Sequence, residues 1–79
     1  MAVTVIITDE CKRNIEALIE AGSAEDFANA ISVPYHDAFW ELAVPEEIAA
    51  DIAQFALDGE TVSDTIIRNI RAWLGIKPN

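Results

Sequence analysis

The sequence predicts a mainly α-helical fold with the element order β-α-α-β-α-α, forming a single domain over residues 1–79. Three observations predict it: two amphipathic apolar stripes repeat at one constant offset, a β-prone run precedes each stripe, and helix-start residues follow each stripe. The chain is therefore expected to contain two pseudo-repeats, at 2–32 and 38–75, joined by a linker at 33–37.

The two halves contain matching amphipathic helices. Apolar residues at i, i+4, i+7 and i+8 precede Gly22 in the first half, and the same spacing precedes Gly59 in the second. These residues are Cys11, Ile15, Leu18 and Ile19, and then Ile48, Ile52, Phe55 and Ala56. Such a stripe is typical of one helix face, and glycine suits the left-handed residue that follows a helix. We therefore predict helices at 9–20 and 45–57.

Short motifs mark where the helices start. Each predicted helix begins at or beside a residue that commonly caps or opens a helix: Thr8, Ser23, Pro45 and Thr61. An aspartate stands three residues after both Ser23 and Thr61, which resembles a capping box. These motifs predict the second helix of each half at 24–32 and 62–74. Pro34 breaks the first of them, because a proline and the residue before it do not continue a helix.

A β-prone run opens each half, AVTVII at 2–7 and AFWELAV at 38–44. Each half is thus strand, helix, helix. That order, with glycine between the helices and GETVSDTIIRNI opening the last one, resembles the ribbon-helix-helix family of DNA-binding proteins. The similarity is closest in residues 42–70 and looser in the first half.

The resemblance implies a specific architecture. Family members are usually homodimers in which two strands form a short two-stranded antiparallel ribbon above four helices. With both halves on one chain, the resemblance implies a tandem ribbon-helix-helix pseudo-dimer in which strand 2–7 pairs with strand 38–44. In the family, outward side chains of the ribbon enter the major groove of DNA.

Alternation along the strands separates inward from outward side chains. By the family's pattern the inward set is Val3, Val5, Ile7, Trp40, Leu42 and Val44. The outward set is Ala2, Thr4, Ile6, Phe39, Glu41 and Ala43. The outward set lacks Arg, Lys, Asn and Gln, the side chains that make bidentate contacts to guanine or adenine. The sequence therefore predicts no specific DNA binding.

Charge supports this expectation. The chain has 14 acidic and 5 basic residues, a formal net charge of −9, which repels nucleic acid and anionic membranes. Six carboxylates near predicted helix starts form a candidate acidic surface: Glu25, Asp26, Glu46, Glu47, Glu60 and Asp64. Together they could imitate a phosphate backbone, or they could serve only as a solvated surface.

Three functions follow from these patterns. The favoured one is a non-enzymatic acidic protein-binding module that inhibits a nucleic-acid-handling complex, of the kind that phages and mobile elements encode, anti-CRISPR proteins included. Its predicted partner-binding residues lie on the outward face: Thr4, Ile6, Phe39, Glu41 and Ala43. The alternatives are a ribbon-helix-helix transcriptional regulator or antitoxin that binds DNA, and a structural module that associates with itself through the ribbon face.

Residues typical of catalysis or metal binding are sparse. His36 is the single histidine and falls in the predicted linker, and Cys11 belongs to an apolar stripe. We predict no enzymatic activity, no cofactor and no metal site, because no cluster of ligands or nucleophile with a base is present at a recognisable spacing. No apolar run approaches the roughly 20 residues that span a bilayer. No basic leader followed by an apolar run is recognised either, so a cytoplasmic protein is expected.

Overall fold

Two β-prone runs and four helix-forming segments give the observed architecture. The computed structural model describes residues 2–76, in which three strands form one antiparallel sheet beside four helices. The elements in chain order are β1 Ala2–Ile7, α1 Asp9–Ala21, α2 Glu25–Ala30, β2 Tyr35–His36, β3 Phe39–Pro45, α3 Glu46–Ala53 and α4 Val62–Trp73.

The two long strands pair with each other, as the sequence predicted. β1 and β3 run antiparallel, from Ala2 opposite Pro45 to Ile7 opposite Trp40. Alternate side chains point to opposite faces of a strand, and the buried residues fall on the predicted inward side. Leu42 and Val44 are fully buried, and Val5 and Ile7 are nearly so.

The predicted fold class is nevertheless wrong. The sheet has three strands in the order β1-β3-β2, and the element order is β-α-α-β-β-α-α, so the chain is not a two-stranded ribbon pseudo-dimer. β2 lies inside the predicted linker 33–37 and pairs with the edge of β3 away from β1. The sequence prediction missed it because two residues are too few to show a period-2 pattern.

Backbone hydrogen bonds explain why this segment joins the sheet. Ser32 and Ala43 exchange two backbone hydrogen bonds, of 3.1 and 2.8 Å, and the Glu41 N–H donates to the Pro34 carbonyl at 2.9 Å. The edge of β3 thereby satisfies donors and acceptors that would otherwise need water. Asp37, with φ of 43°, makes the turn back into β3, and aspartate tolerates this left-handed conformation better than most residues.

Helices α1 and α4 start at the predicted residues and end within one residue of the predicted ends, 20 and 74. The Thr8 hydroxyl accepts from the Cys11 N–H at 3.1 Å at the start of α1. Gly22, in the left-handed region with φ of 70°, ends that helix. Thr61 and Asp64 form the predicted capping box of α4.

The other two helices are shorter than predicted. α2 covers 25–30 instead of 24–32, and its N-cap is Ala24, without a side-chain cap, so the predicted capping role of Ser23 is wrong. α3 ends at Ala53 instead of 57, and the chain continues in tight turns in which the Phe55 N–H donates to the Ile52 carbonyl and the Ala56 N–H to the Ala53 carbonyl. The Arg68 guanidinium donates to the Phe55 carbonyl of this turn at 2.6 Å.

The core lies between the inner sheet face and the helices. Its largest fully buried side chains are Ile15, Leu18, Leu42, Val44, Thr65, Ile66 and Ile70. Because α1, α4 and β3 all contribute, the inner face of the sheet and the two longest helices form one continuous apolar cluster.

The sheet register makes a stability prediction. Leu42→Ala removes a fully buried side chain from the central strand, so we expect the free energy of unfolding to fall by about 2–5 kcal/mol. Ile6→Ala, on the opposite face at 68% exposure, should cost less than about 1 kcal/mol. Urea denaturation followed by circular dichroism measures both, and equal losses would contradict the assigned faces.

Candidate protein-binding surfaces

The outer sheet face, defined by Thr4, Ile6, Phe39, Glu41 and Ala43, brings together all five predicted partner-binding residues. Thr4 lies opposite Ala43 and Ile6 opposite Glu41, so these side chains share one side of the β1–β3 pair. Ile6 is 68% exposed and Phe39 is 38% exposed. The face therefore presents an aliphatic and an aromatic side chain to solvent.

Strand β2 extends this surface with a residue that the sequence analysis had assigned to a linker. His36 pairs with Phe39, and their ring centroids lie 5.7 Å apart. The His36 Nε2 atom is 3.5 Å from a Glu41 carboxylate oxygen. The sequence did contain a signal for this hairpin, because the aromatic pairs YH at 35–36 and FW at 39–40 are separated by only two residues.

The reverse side of the same hairpin carries a second aromatic contact. Tyr35 packs edge-on against Trp40 with ring centroids 4.7 Å apart. The Trp40 indole N–H donates to an Asp9 carboxylate oxygen at 3.0 Å, and the Lys12 ammonium lies 4.4 Å from the ring centroid. Trp40 thus joins the hairpin to the start of α1.

The predicted acidic residues lie in the first turns of three helices and, for Glu60, in the connection before α4. Glu25 and Asp26 are in the first turn of α2, and Glu46 and Glu47 are in the first turn of α3. Asp64 is in the first turn of α4, where its carboxylate accepts from the Thr61 N–H at 3.4 Å. Carboxylates at these positions stabilise the helices and occupy the donors that would bind a phosphate.

Glu60 is the centre of an internal network. One carboxylate oxygen accepts from Arg68 Nε at 2.8 Å. The other accepts from the Leu57 N–H and the Thr65 hydroxyl, each at 2.9 Å. These bonds fix the connection between α3 and α4. They also lower the pKa of Glu60 to about 2, with the Arg68 hydrogen bond as the largest cause.

A groove between α2, α3 and α4 was missed by the sequence analysis. Its volume is about 640 Å³, and its lining residues are Ala24, Glu25, Asp26, Phe27, Ile48, Asp51, Ile52, Phe55, Asn69 and Trp73. Phe55 is 67% exposed, whereas the Phe27 and Trp73 rings pack together with centroids 4.9 Å apart. The lining is thus mainly apolar, with three carboxylates.

Cys11 is a core residue. Its side chain is buried, and burial raises the pKa of the thiol, with the neighbouring Glu10 carboxylate adding to the increase. Across residues 2–76, no three His, Cys, Asp or Glu side chains cluster in a way that could hold a metal ion. In the same range, no helix is long and apolar enough to cross a membrane.

The Glu60 network predicts a pH dependence. Because the folded-state pKa of about 2 lies below the ordinary value of 4.5, the network's stabilisation is complete above pH 4.5 and is lost as the pH falls towards 2. Glu60→Gln should lower the unfolding free energy at pH 7. The difference in unfolding free energy between wild type and Glu60→Gln should shrink as the pH falls from 4.5 towards 2. Urea denaturation at successive pH values measures this. Glu47→Gln is the control, and a Glu60→Gln deficit independent of pH would contradict the prediction.

No protein-family model, curated protein or solved structure matches this chain. The resemblance to the ribbon-helix-helix family therefore stays a prediction from sequence motifs. Two surfaces of residues 2–76 are candidates for partner binding, the outer sheet face and the groove.

Proposed function

We propose that this protein is a non-enzymatic, acidic protein-binding module that docks on its partner through the outer sheet face. The observation that carries the proposal is the exposure of Ile6 and Phe39 together on that face. A solvated sheet face is usually polar, and apolar side chains grouped on one face are typical of a protein contact.

The chemistry of the face supports a protein partner over DNA. Its five side chains include no cation and one carboxylate, Glu41, which would repel phosphates. An exposed aromatic ring gains more from burial against another protein, because aromatic residues dominate the energetics of protein interfaces. Phe39 is therefore the expected centre of the contact.

Charge indicates the class of partner. With a net charge of −9, the protein would be attracted to the basic surface of a nucleic-acid-binding protein. Docking there would block nucleic acid, which is the basis for proposing an inhibitory role in the cytoplasm, similar to that of phage-encoded or anti-CRISPR inhibitors. Glu41 lies within β3, and Glu46 and Glu47 directly follow that strand.

Affinity capture tests the proposal. Phe39→Ala should leave the fold intact and weaken partner binding by about 2 kcal/mol, roughly thirtyfold. The matched control is Leu57→Ala, which removes a side chain of 60% exposure outside the sheet. Proteins captured by wild type and Leu57→Ala but lost with Phe39→Ala are the expected partners, and added duplex DNA should displace them. Identical capture by all three proteins would contradict the proposal.

Direct DNA binding gives a separate prediction. Specific DNA-binding proteins typically reach about 10⁻⁸–10⁻¹¹ M at physiological salt. A gel-shift titration of this protein with a pool of random duplexes should show only weak binding without sequence preference. Nanomolar, sequence-dependent binding would instead support a transcriptional regulator.

One observation favours self-association as a second candidate function. β1 is an edge strand in the sheet of residues 2–76, and its sequence AVTVII contains no charged residue and no proline. Exposed edges with this composition pair readily with other strands. Two copies could therefore join their β1 strands, although their net charges oppose it at low salt.

Sedimentation velocity separates this candidate from the first. If β1 pairs between copies, a dimer should form as protein concentration and salt rise, and Thr4→Lys should abolish it by placing a charge on the edge strand. Leu57→Lys adds the same charge outside the sheet and should leave the dimer intact. A monomer at every concentration would exclude self-association through β1.

A further inference from the structure

We infer that the groove between α2, α3 and α4 binds a basic amphipathic helix of a partner protein. The site is separate from the outer sheet face, and the inference does not depend on the function proposed for that face. It rests on the exposure of Phe55 at a position whose equivalent in the first half is buried, on the absence of extensive contact between α2 and α3 among residues 2–76, and on the charges at the groove.

One pair of equivalent positions in the internal repeat differs sharply in burial. The stripe of Cys11, Ile15 and Leu18 on α1 is buried, and Leu18 is 0% exposed. The matching residues in the second half, Ile48, Ile52 and Phe55, all line the groove. Ile52 is buried at 5% exposure, whereas Phe55, the equivalent of Leu18, is 67% exposed. The end of the stripe that the first half covers is therefore open in the second half, just past α3.

Helix α2 does not close the groove against α3. α4 has 12 residues and packs on both α1 and α3, whereas α2 has only 6 and packs mainly on α1. No extensive contact joins α2 to α3 within residues 2–76. The groove is bordered by the first residues of α2 and the residue before them, Ala24, Glu25, Asp26 and Phe27, and by residues of α3 and α4. It is thus an open, mainly apolar groove between helices, and an amphipathic helix is the partner element that docks in such a groove.

The charges at the groove specify which helix fits. Glu25, Asp26 and Asp51 line it beside the apolar side chains, and none of them takes part in the ion pairs formed among residues 2–76. Lysine or arginine at the border of an apolar helix face would complement these carboxylates. Apolar side chains at i, i+3 and i+4 would contact Phe55 and Trp73.

A second copy of this chain is a poor occupant. It would bring the same net charge of −9 to a groove that is already acidic. Three of its five basic side chains are engaged within the fold, Lys12 with Glu16, Arg68 with Glu60 and Arg71 with Glu10. A partner of opposite charge is therefore favoured.

A synthetic peptide tests the site. The probe is a helical peptide with leucine on one face and lysine on the other, titrated into uniformly ¹⁵N-labelled protein. The Trp73 indole resonance should shift and saturate, while that of Trp40, which is not in the groove lining, should move little. Trp40→Phe assigns the two indole signals. The same peptide with glutamate in place of lysine should not bind.

Matched variants locate the contact. Phe55→Ala should weaken peptide binding about tenfold, whereas Leu57→Ala, at similar exposure but outside the groove, should leave it unchanged. The backbone bond from Arg68 to Phe55 is retained in the alanine variant. Asp51→Lys should weaken binding about fivefold at low salt and less at high salt, compared with Asp58→Lys as the charge control.

Several results would overturn the inference. The inference would be wrong if the glutamate peptide bound as tightly as the lysine peptide, or if Leu57→Ala and Phe55→Ala weakened peptide binding equally. It would also be wrong if the Trp73 indole resonance did not shift at millimolar peptide. A Trp73 shift that depends on protein concentration without peptide would show that a second copy occupies the groove, and would also overturn it. None of these results affects capture by the outer sheet face, so failure of this inference is distinguishable from failure of the proposed function.

Discussion

The pairing of β1 with β3 is the constraint on which the rest of the structure depends. It joins the first six described residues to the middle of the chain and fixes which side chains of both strands face the helices. Leu42 and Val44 on β3, and Val5 and Ile7 on β1, form the platform for the apolar stripe of α1 and for α4. If the register of either strand shifted by one residue, its buried side chains would point to solvent and its outer-face side chains would point to the helices.

The edge of β3 away from β1 breaks the similarity of the two halves. When residues 32–36 pair with this edge, the chain can no longer continue α2, so the same event adds a third strand and shortens a helix. The third strand brings His36 beside Phe39 on the outer sheet face. In the second half the repeat fails at Phe55, which is exposed at the groove where its equivalent, Leu18, is buried. Each candidate surface thus includes a departure from the repeat.

Internal ion pairs affect the electrostatic field around the molecule. Arg68 holds the α3–α4 connection through Glu60 and the Phe55 carbonyl, and Lys12 is shared between Glu16 and the Trp40 ring. Because these cations are engaged at fixed positions, the excess carboxylates dominate the surface. That excess opposes nucleic acid and favours a partner of positive charge, at the outer sheet face and at the groove alike.

The sequence by itself determined the local features. Thr8, Gly22 and the Thr61–Asp64 capping box fix helix ends through bonds to residues at most four positions away, so the sequence pattern alone revealed them. The alternation along β1 and β3 likewise predicted the five residues of the outer sheet face, because one buried side sets the register of both strands.

Only the tertiary structure decided what the chain does beyond α2 and α3, although Pro34 already marked a region that does not continue α2. After α2 the chain joins the sheet, where Ser32 pairs with Ala43 on β3, and after α3 the Phe55 carbonyl accepts from Arg68. These contacts join residues more than ten positions apart, so no local pattern in the sequence records them. The third strand and the exposure of Phe55 at the groove are therefore seen only in the folded chain.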